Sequence, residues 1–227
     1  MTNPPWYLQE TRFSQRIDSK DMGVFMRVCP ERRYAEGEAI FHDGDLASHL
    51  HVIVRGQVKL SVSTPKGQER ILAVLGPDDF LGETFVHQAE RYRGDAVALT
   101  DVVTCPMSRP QFLQMTRRAP DFVVAFTGIL AAGLYQCRDQ LGRSYDPVRV
   151  RVAKVLIEQA ERFGAPEAEP GWWRLETILR HEEIAAMVSA TRVATTMAMT
   201  ELRQQGLLKG TRGSYRLKLE RLSALSE

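Results

Sequence analysis

A chain of 227 residues, 44% hydrophobic and 26% charged with a net charge of +2, has the composition of a globular protein large enough for one large domain or two ordinary ones. No apolar run approaches the roughly 20 residues that cross a bilayer, and the opening MTNPPWYLQE lacks the basic start and apolar core of an export signal, so the expectation is a cytoplasmic protein without membrane contact. The three cysteines, Cys29, Cys105 and Cys137, are widely spaced and show no CxxC or Cys/His pattern, which argues against a locally built zinc or iron–sulfur centre and predicts reduced, partly buried thiols.

From about Tyr34 to Met107 short apolar runs alternate with glycines. Ala39–Phe41, Leu50–Val54, Val58–Val62 and Arg70–Leu75 are separated by Gly37, Gly44, Gly56, Gly67 and Gly76-Pro77-Asp78. Strands of this length with turn signals at regular intervals predict an antiparallel sandwich or small barrel. Next, Gly82-Glu83 is followed ten residues on by Arg93-Gly94-Asp95 and a strand over Ala96–Leu99. Backbone N–H groups with Arg93 could face an anion while Glu83 accepts from hydroxyls. A structural Glu83–Arg93 ion pair fits the bare pattern as well.

Ser108-Arg109-Pro110 marks a helix start, and Pro120 ends that helix and begins another running to about Arg143. Along the second, Val123, Thr127, Leu130, Leu134, Cys137 and Leu141 are spaced 4, 3, 4, 3, 4, the repeat of a coiled-coil seam. Phe122, Phe126 and Ile129 lie on a neighbouring face, suited to packing on the barrel while the seam pairs with a second subunit. The alternative is a helix whose whole stripe packs on its own barrel. Ser144-Tyr145-Asp146-Pro147 breaks the chain as a hinge should. A helix with Val148, Val152, Val155 and Leu156 as its apolar face follows, then a loop over Gly164–Gly171, and Trp172–Leu175 reads as a short strand or helix lead-in.

His181–Leu208 reads as helix, sharp turn, helix. Ile184, Ala185 and Val188 form the apolar face of the first helix, and Thr191 is the N-cap of the second. There Ala194, Ala198, Met199 and Leu202 make the buried stripe, leaving Arg192, Val193, Thr195, Thr196, Met197 and Thr200 to point elsewhere. Arginine can bond guanine edges bidentately, and threonine or valine methyls can touch thymine methyls. Gly206 closes the helix, Lys209–Ser214 is a basic turn containing Arg212, and Tyr215–Leu219 alternates like a half-buried strand. Between Arg192 and Arg221 seven basic residues face only Glu201 and Glu220, a local excess suited to a phosphate backbone. Helix, turn, helix and basic hairpin describe a winged helix-turn-helix, although paired amphipathic helices also occur in proteins that never meet DNA.

The order of glycine-spaced β region, long seam helix, hinge and winged helix, with Gly82-Glu83 … Arg93-Gly94 and Thr191-Arg192-Val193 leading to Gly206-Leu207-Leu208, resembles the Crp/Fnr superfamily of bacterial transcription regulators from about Asp18 to Leu219. The resemblance implies an α+β chain: an antiparallel, jelly-roll-like β-roll sensor of the cyclic-nucleotide-binding type over 1–109, a linker and dimerisation helix over 110–143, and a winged helix-turn-helix over 144–227. It implies a homodimer that binds inverted repeats in double-stranded promoter DNA, activates transcription and contacts RNA polymerase. Its DNA-reading residues would be Thr191, Arg192, Val193, Thr195, Thr196, Met197, Lys209 and Arg212. Its effector pocket would be Gly82, Glu83, Arg93, Gly94, Asp95, Tyr135 and Gln136.

Within that family this chain departs from the cyclic AMP receptors. Gly94 stands where serine or threonine would donate to the cyclic phosphate, Asp95 brings a like charge beside it, and Tyr135, Gln136 and Cys137 replace the adenine-contacting pair. Val193 and Met197 replace two base-reading residues, leaving Arg192 of that trio. The resemblance therefore implies an effector other than cyclic AMP, or none, and no metal. Thr191-Arg192-Val193 is closer to the nitrogen-control branch, the iron–sulfur branch is excluded by its missing cysteine cluster, and His87 near a haem-ligating position reads as a surface or packing residue. A nucleotide-binding sensor that regulates a protein partner is the alternative function. Without a nucleophile–base pair, metal cluster or phosphate loop, no catalysis is expected.

Overall fold

The structure of the chain is a computed structural model that describes residues 25, 29–87, 91–143, 145–177, 179–211 and 214–226. Arg212 and the side chain of His87 lie outside the described residues. The chain divides into two compact units, one of residues 1–62 and 73–139, the other of residues 63–72 and 140–227.

The first unit is built on eight strands, save Ser63 and Glu69–Leu72, which fall in the second: β1 (Arg32–Tyr34), β2 (Ala39–Phe41), β3 (His49–Arg55), β4 (Val58–Ser63), β5 (Glu69–Leu75), β6 (Phe80–Leu81), β7 (Asp95–Ala98) and β8 (Val102–Ser108). They form two four-stranded sheets, β1-β8-β3-β6 and β2-β7-β4-β5, and the pairings β1–β8, β3–β8, β3–β6, β2–β7 and β4–β7 are antiparallel. The glycine-punctuated runs become β2 to β5. Gly56 shows why glycine is needed at one of these turns: its φ is +88°, and a Cβ there would stand 2.3 Å from the Asp101 carbonyl. β8, not anticipated from sequence, pairs with β3 from Leu50↔Met107 to Ile53↔Thr104. β1 covers only Val102–Thr104, so Pro106 falls where β8 has one neighbour strand, a position that tolerates a missing N–H.

Two apolar clusters fill this unit. Tyr34, Phe41, Ile53, Val58, Leu81, Tyr92, Ala96, Ala98 and Val102 form one. The other joins Leu50, Val52, Phe80 and Met107 to the helices that follow. The first of these, α1 (Arg109–Arg118), starts as expected at Ser108, whose N–H donates to the Gln111 side chain at 2.8 Å. α2 (Pro120–Arg143) then buries Phe122, Ala125 and Phe126. Phe126 meets Phe80 edge-on at 5.2 Å and Phe112 at 5.4 Å, and Ile129 packs beside them. By length and composition α2 could cross a membrane, contrary to the sequence reading, but its apolar residues divide between this buried face and a second, exposed row.

Cys29 and Cys105 form a disulfide with Cα atoms 5.3 Å apart, so the expectation of reduced, partly buried thiols fails for these two, and Cys137 is a free thiol but an exposed one on α2. The partners are 76 residues apart in sequence, and the sheet brings them together in a way spacing does not reveal.

His51 on β3 is 4% exposed and bonds Thr104 Oγ1 through Nδ1 at 3.3 Å. Burial, then the neighbouring His49 and Arg32, lowers its pKa to about 4. The unfolded chain takes up this proton near pH 6.5 and the folded chain only near 4, so the stabilisation is complete above pH 6.5 and is lost as pH falls from 6.5 through 4. The loss over that range is about 3 kcal/mol. Urea titrations of the intact chain should show that loss, and His51→Gln should flatten the profile between those pH values; an unchanged slope would assign the acid sensitivity elsewhere.

In the second unit α3 (Val148–Phe163) buries Val152, Ala153, Leu156, Gln159 and Ala160; of the predicted face Val152 and Leu156 are buried, while Val148 and Val155 are half-buried. β9 (Gly164–Pro166), β10 (Trp172–Leu175), β11 (Leu208–Thr211) and β12 (Ser214–Lys218) form a sheet of order β11-β12-β10-β9. The predicted loop thus begins with an edge strand, and Trp172–Leu175 is a strand. Between them in sequence lie α4 (His181–Met187) and α5 (Arg192–Gln204), and α6 (Leu219–Ser226) closes the chain.

Candidate nucleic-acid interface

α4 and α5 meet through their apolar faces: Ile184, Ala185 and Val188 on one side, Ala198, Met199 and Leu202 on the other, all buried. The turn between them is held from both ends. Ser189 adopts φ +51°, and the Ala190 N–H donates to the Ala185 carbonyl at 3.0 Å. Arg151, from α3, donates to the Val188 carbonyl, the contact that sequence reasoning missed because its partner is 37 residues away. Thr191 then caps α5, its hydroxyl accepting the Ala194 N–H at 3.2 Å. At the other end Gly206, φ +68°, follows the last turn and lets the Leu207 N–H reach the Leu202 carbonyl at 3.0 Å.

With α5 fixed in this way, each turn of about 100° decides which residues face outward. Arg192 is exposed, and Val193 and Met197 are 70% and 69% exposed. Thr195, placed on the DNA-reading face from sequence, is fully buried: it shares the stripe of Ala198, Met199 and Leu202, and threonine is small enough to sit there. Thr196 is half-buried, and its hydroxyl pairs with Nδ1 of His181 at 3.0 Å. Burial, then Arg203 and Arg192, lowers the His181 pKa. The Thr200 hydroxyl donates back to the Thr196 carbonyl at 2.9 Å. Arg149 of α3 pairs with Glu201 at 2.5 Å, tying the helix to its neighbour from the exposed side.

The wing is β11–β12, joined across Gly210, whose Cβ would stand 2.0 Å from the Ser214 carbonyl. Its inner face carries Leu208, Tyr215 and Leu217, all buried. Its cations are not all free. Lys209, expected at DNA, lies 4.1 Å over the Trp172 ring and 3.3 Å from Glu169. Arg216 pairs with Glu167 and Glu169, chiefly the Glu167 hydrogen bond, which raises its pKa further. The basic excess in the sequence is therefore partly neutralised by the loop after β9.

The residues of the expected effector pocket sit in the first unit. Gly82 is buried at φ +76°, and a Cβ there would press on Tyr92 at 2.6 Å. Glu83 begins a 3-10 turn over Glu83–His87, and no ion pair joins it to the exposed Arg93. The groups that gather on residues 91–95 come from the turn after β2. The Gly94 N–H donates to Asp43 Oδ1 at 2.7 Å, and Asp95 Oδ1 receives the Asp43 N–H and contacts His42 Nδ1, both at 3.1 Å. Arg91 donates to the Gly44 carbonyl at 2.6 Å. Gly94 has φ +96°, and a Cβ would stand 2.5 Å from the Ser61 carbonyl, so a hydroxyl-bearing residue does not fit there. The N–H expected to face an anionic ligand is already bonded to a carboxylate of the chain. Tyr135 and Gln136 stand on α2, the first exposed and the second half-buried.

Of the seam on α2, Val123, Thr127, Leu130, Leu134, Cys137 and Leu141 are all exposed, Leu134 by 54% and Leu141 by 67%. Phe122 and Phe126, on the neighbouring face expected to pack on the β-roll, are the buried ones.

Two family models match the chain: cyclic nucleotide-binding domain over residues 31–119 and Crp-like helix-turn-helix domain over residues 150–227. The CRP-like cAMP-activated global transcriptional regulator of Mycobacterium tuberculosis (strain ATCC 25618 / H37Rv) is 28% identical over 196 residues, covering 86% of this chain and 87% of that protein. The cyclic AMP receptor protein of Thermus thermophilus is 28% identical over 191 residues, 84% of each. Among solved structures, the c-di-GMP responsive global regulator CLP of Xanthomonas campestris superposes with a TM-score of 0.74 at 21% identity, covering 88% of this chain and 99% of that one. FixK2 from Bradyrhizobium japonicum gives 0.73 at 22% identity, covering 88% and 98%; these likenesses are of fold. With a cyclic-nucleotide-binding-type β-roll followed by a Crp-like winged helix, the chain belongs to the Crp/Fnr family of DNA-binding transcription regulators.

Proposed function

We propose that the protein is a homodimeric, non-enzymatic regulator of the cytoplasm that binds inverted-repeat promoter sites through α5, activates transcription by contact with RNA polymerase, and does so without cyclic AMP. The observation that carries the DNA reading is the capped helix α5, which keeps its packing residues inside and presents Arg192, Val193 and Met197 outward. Two-fold symmetry of the seam requires two-fold symmetry of the site. The test is selection of genomic fragments by the full chain followed by footprinting: the protected region should be palindromic and span two successive major grooves. Protection of a single asymmetric half-site would remove the dimer from this reading.

The two sequence relatives named above are cyclic AMP regulators, and the β-roll here differs from what a cyclic phosphate needs. Asp43 occupies the Gly94 N–H, Asp95 adds a second carboxylate beside it, and Gly94 carries no hydroxyl. Bringing a phosphate there requires displacing one carboxylate and approaching another. Calorimetry with cyclic AMP up to millimolar concentration is expected to give no saturable heat, and operator affinity should be the same with and without it. A micromolar Kd would overturn this part of the reading and leave the DNA function standing.

A further inference from the structure

The outward face of α5 is unusual in what it lacks. The Thr191 hydroxyl accepts from the helix N-terminus, Thr195 is buried, Thr196 is paired with His181, and Thr200 is turned onto the helix backbone. In its first two turns Arg192 is left as the long polar reader, and the other two exposed positions are apolar. Val193 and Met197 are four residues apart, hence stacked on one face, and both stand about 70% in water. Arg192 precedes them on the same helix, and the segment from Arg192 to Arg221 stays basic after Lys209 and Arg216 are paired with Glu167 and Glu169, so a polyanion covers this patch better than an apolar protein surface would.

In a major groove the apolar group on a base edge is the C5 methyl of a pyrimidine, present on thymine and absent from cytosine. Four helical residues rise about 6 Å, close to two base steps of about 3.4 Å. We propose that Val193 and Met197 are methyl readers. At two positions of each half-site, about two base pairs apart, the determinant is the pyrimidine 5-methyl group itself rather than a hydrogen-bond pattern. Because valine has no hydrogen-bonding group and methionine only a weakly accepting sulfur, 5-methylcytosine substitutes for thymine at these positions and unmodified cytosine does not. The inference rests on α5 being the groove helix.

The test uses the full chain and the duplex enriched from a random pool. Each thymine of both half-sites is replaced in turn, symmetrically, by deoxyuridine, which removes only the methyl. Two positions per half-site should each lose about fourfold per methyl, about 16-fold for the symmetric pair, the value of about 0.8 kcal/mol per buried methyl at 1.4 kcal/mol per tenfold. At those positions a cytosine·guanine pair should bind weakly and a 5-methylcytosine·guanine pair should recover most of the affinity. Val193→Ala and Met197→Ala, both at exposed sites, should each abolish the deoxyuridine effect at one position. Affinity within 1.5-fold at every deoxyuridine position, or methyl sensitivity that persists in the doubly substituted chain, would overturn the inference while DNA binding stands. A pool in which no duplex is enriched overturns the DNA reading and this inference together.

Discussion

Arg192→Ala is expected to lower affinity for the operator by at least about 30-fold while leaving affinity for unrelated duplex within about threefold. A bidentate arginine–guanine contact contributes about 1–3 kcal/mol of discrimination, and a symmetric site makes it twice, so about 2–6 kcal/mol is at stake. At 1.4 kcal/mol per tenfold the upper end exceeds a thousandfold. Non-specific binding is summed over many phosphate contacts, and losing one cation changes it little. Arg192→Lys separates charge from geometry: it keeps the cation but not the planar fork, so it should retain non-specific affinity and still lose most of the preference. Anisotropy titrations at one fixed salt concentration, on operator and scrambled duplex, give both numbers. Operator binding by Arg192→Ala that matches the unsubstituted chain would move base reading off this helix. Because Arg192 is exposed and sits just after the Thr191 cap, melting temperature should not move, which keeps the result interpretable.

The second large effect is expected at the seam. Leu134→Asp should convert the protein to a monomer at micromolar concentration and reduce operator affinity by about 100-fold or more. Leu134 is 54% exposed on one chain, in a 4, 3, 4, 3, 4 row whose members all face away from the β-roll core. In a symmetric pair the two carboxylates would face each other across an apolar seam, and the desolvation of each costs several kcal/mol. A monomer still meets one half-site, but it loses the effective concentration, millimolar for closely linked modules, that makes the second contact nearly automatic. Sedimentation equilibrium reads the first consequence and anisotropy the second. A Leu134→Asp chain that remains dimeric would assign the seam to another use.

Much of this was legible because the informative residues are punctuation. Pro110, Pro120 and Gly206 set helix ends that the structure repeats, and Val152 and Leu156, the buried half of the predicted stripe, need only a period of 3.6. β8 was not legible: Thr104 and Pro106 interrupt its apolar run, and it becomes a strand because β1 and β3 pair with it. Thr195 was misplaced because threonine fits both a core and a groove, and one residue of helical phase decides between them. The Asp43–Gly94 and Arg151–Val188 contacts lie 51 and 37 residues apart, and no local pattern announces a side chain that reaches across the fold to a backbone group. Periodicity reports what an element buries, and says little about which distant chain end satisfies its polar atoms.

The way α4 and α5 are locked has one more consequence. Arg151, Thr191, Ser189 and Gly206 hold the helix pair from behind and at its ends, and Ala198, Met199 and Leu202 hold it from within; none of the three outward residues Arg192, Val193 and Met197 takes part in that scaffold. On the proposed reading, vocabulary and grammar are therefore written in different residues. Substitution of Arg192, Val193 and Met197 would then change the sites bound without removing a residue that holds the helix pair. A lineage built on this frame can diverge in what it reads faster than in how it stands.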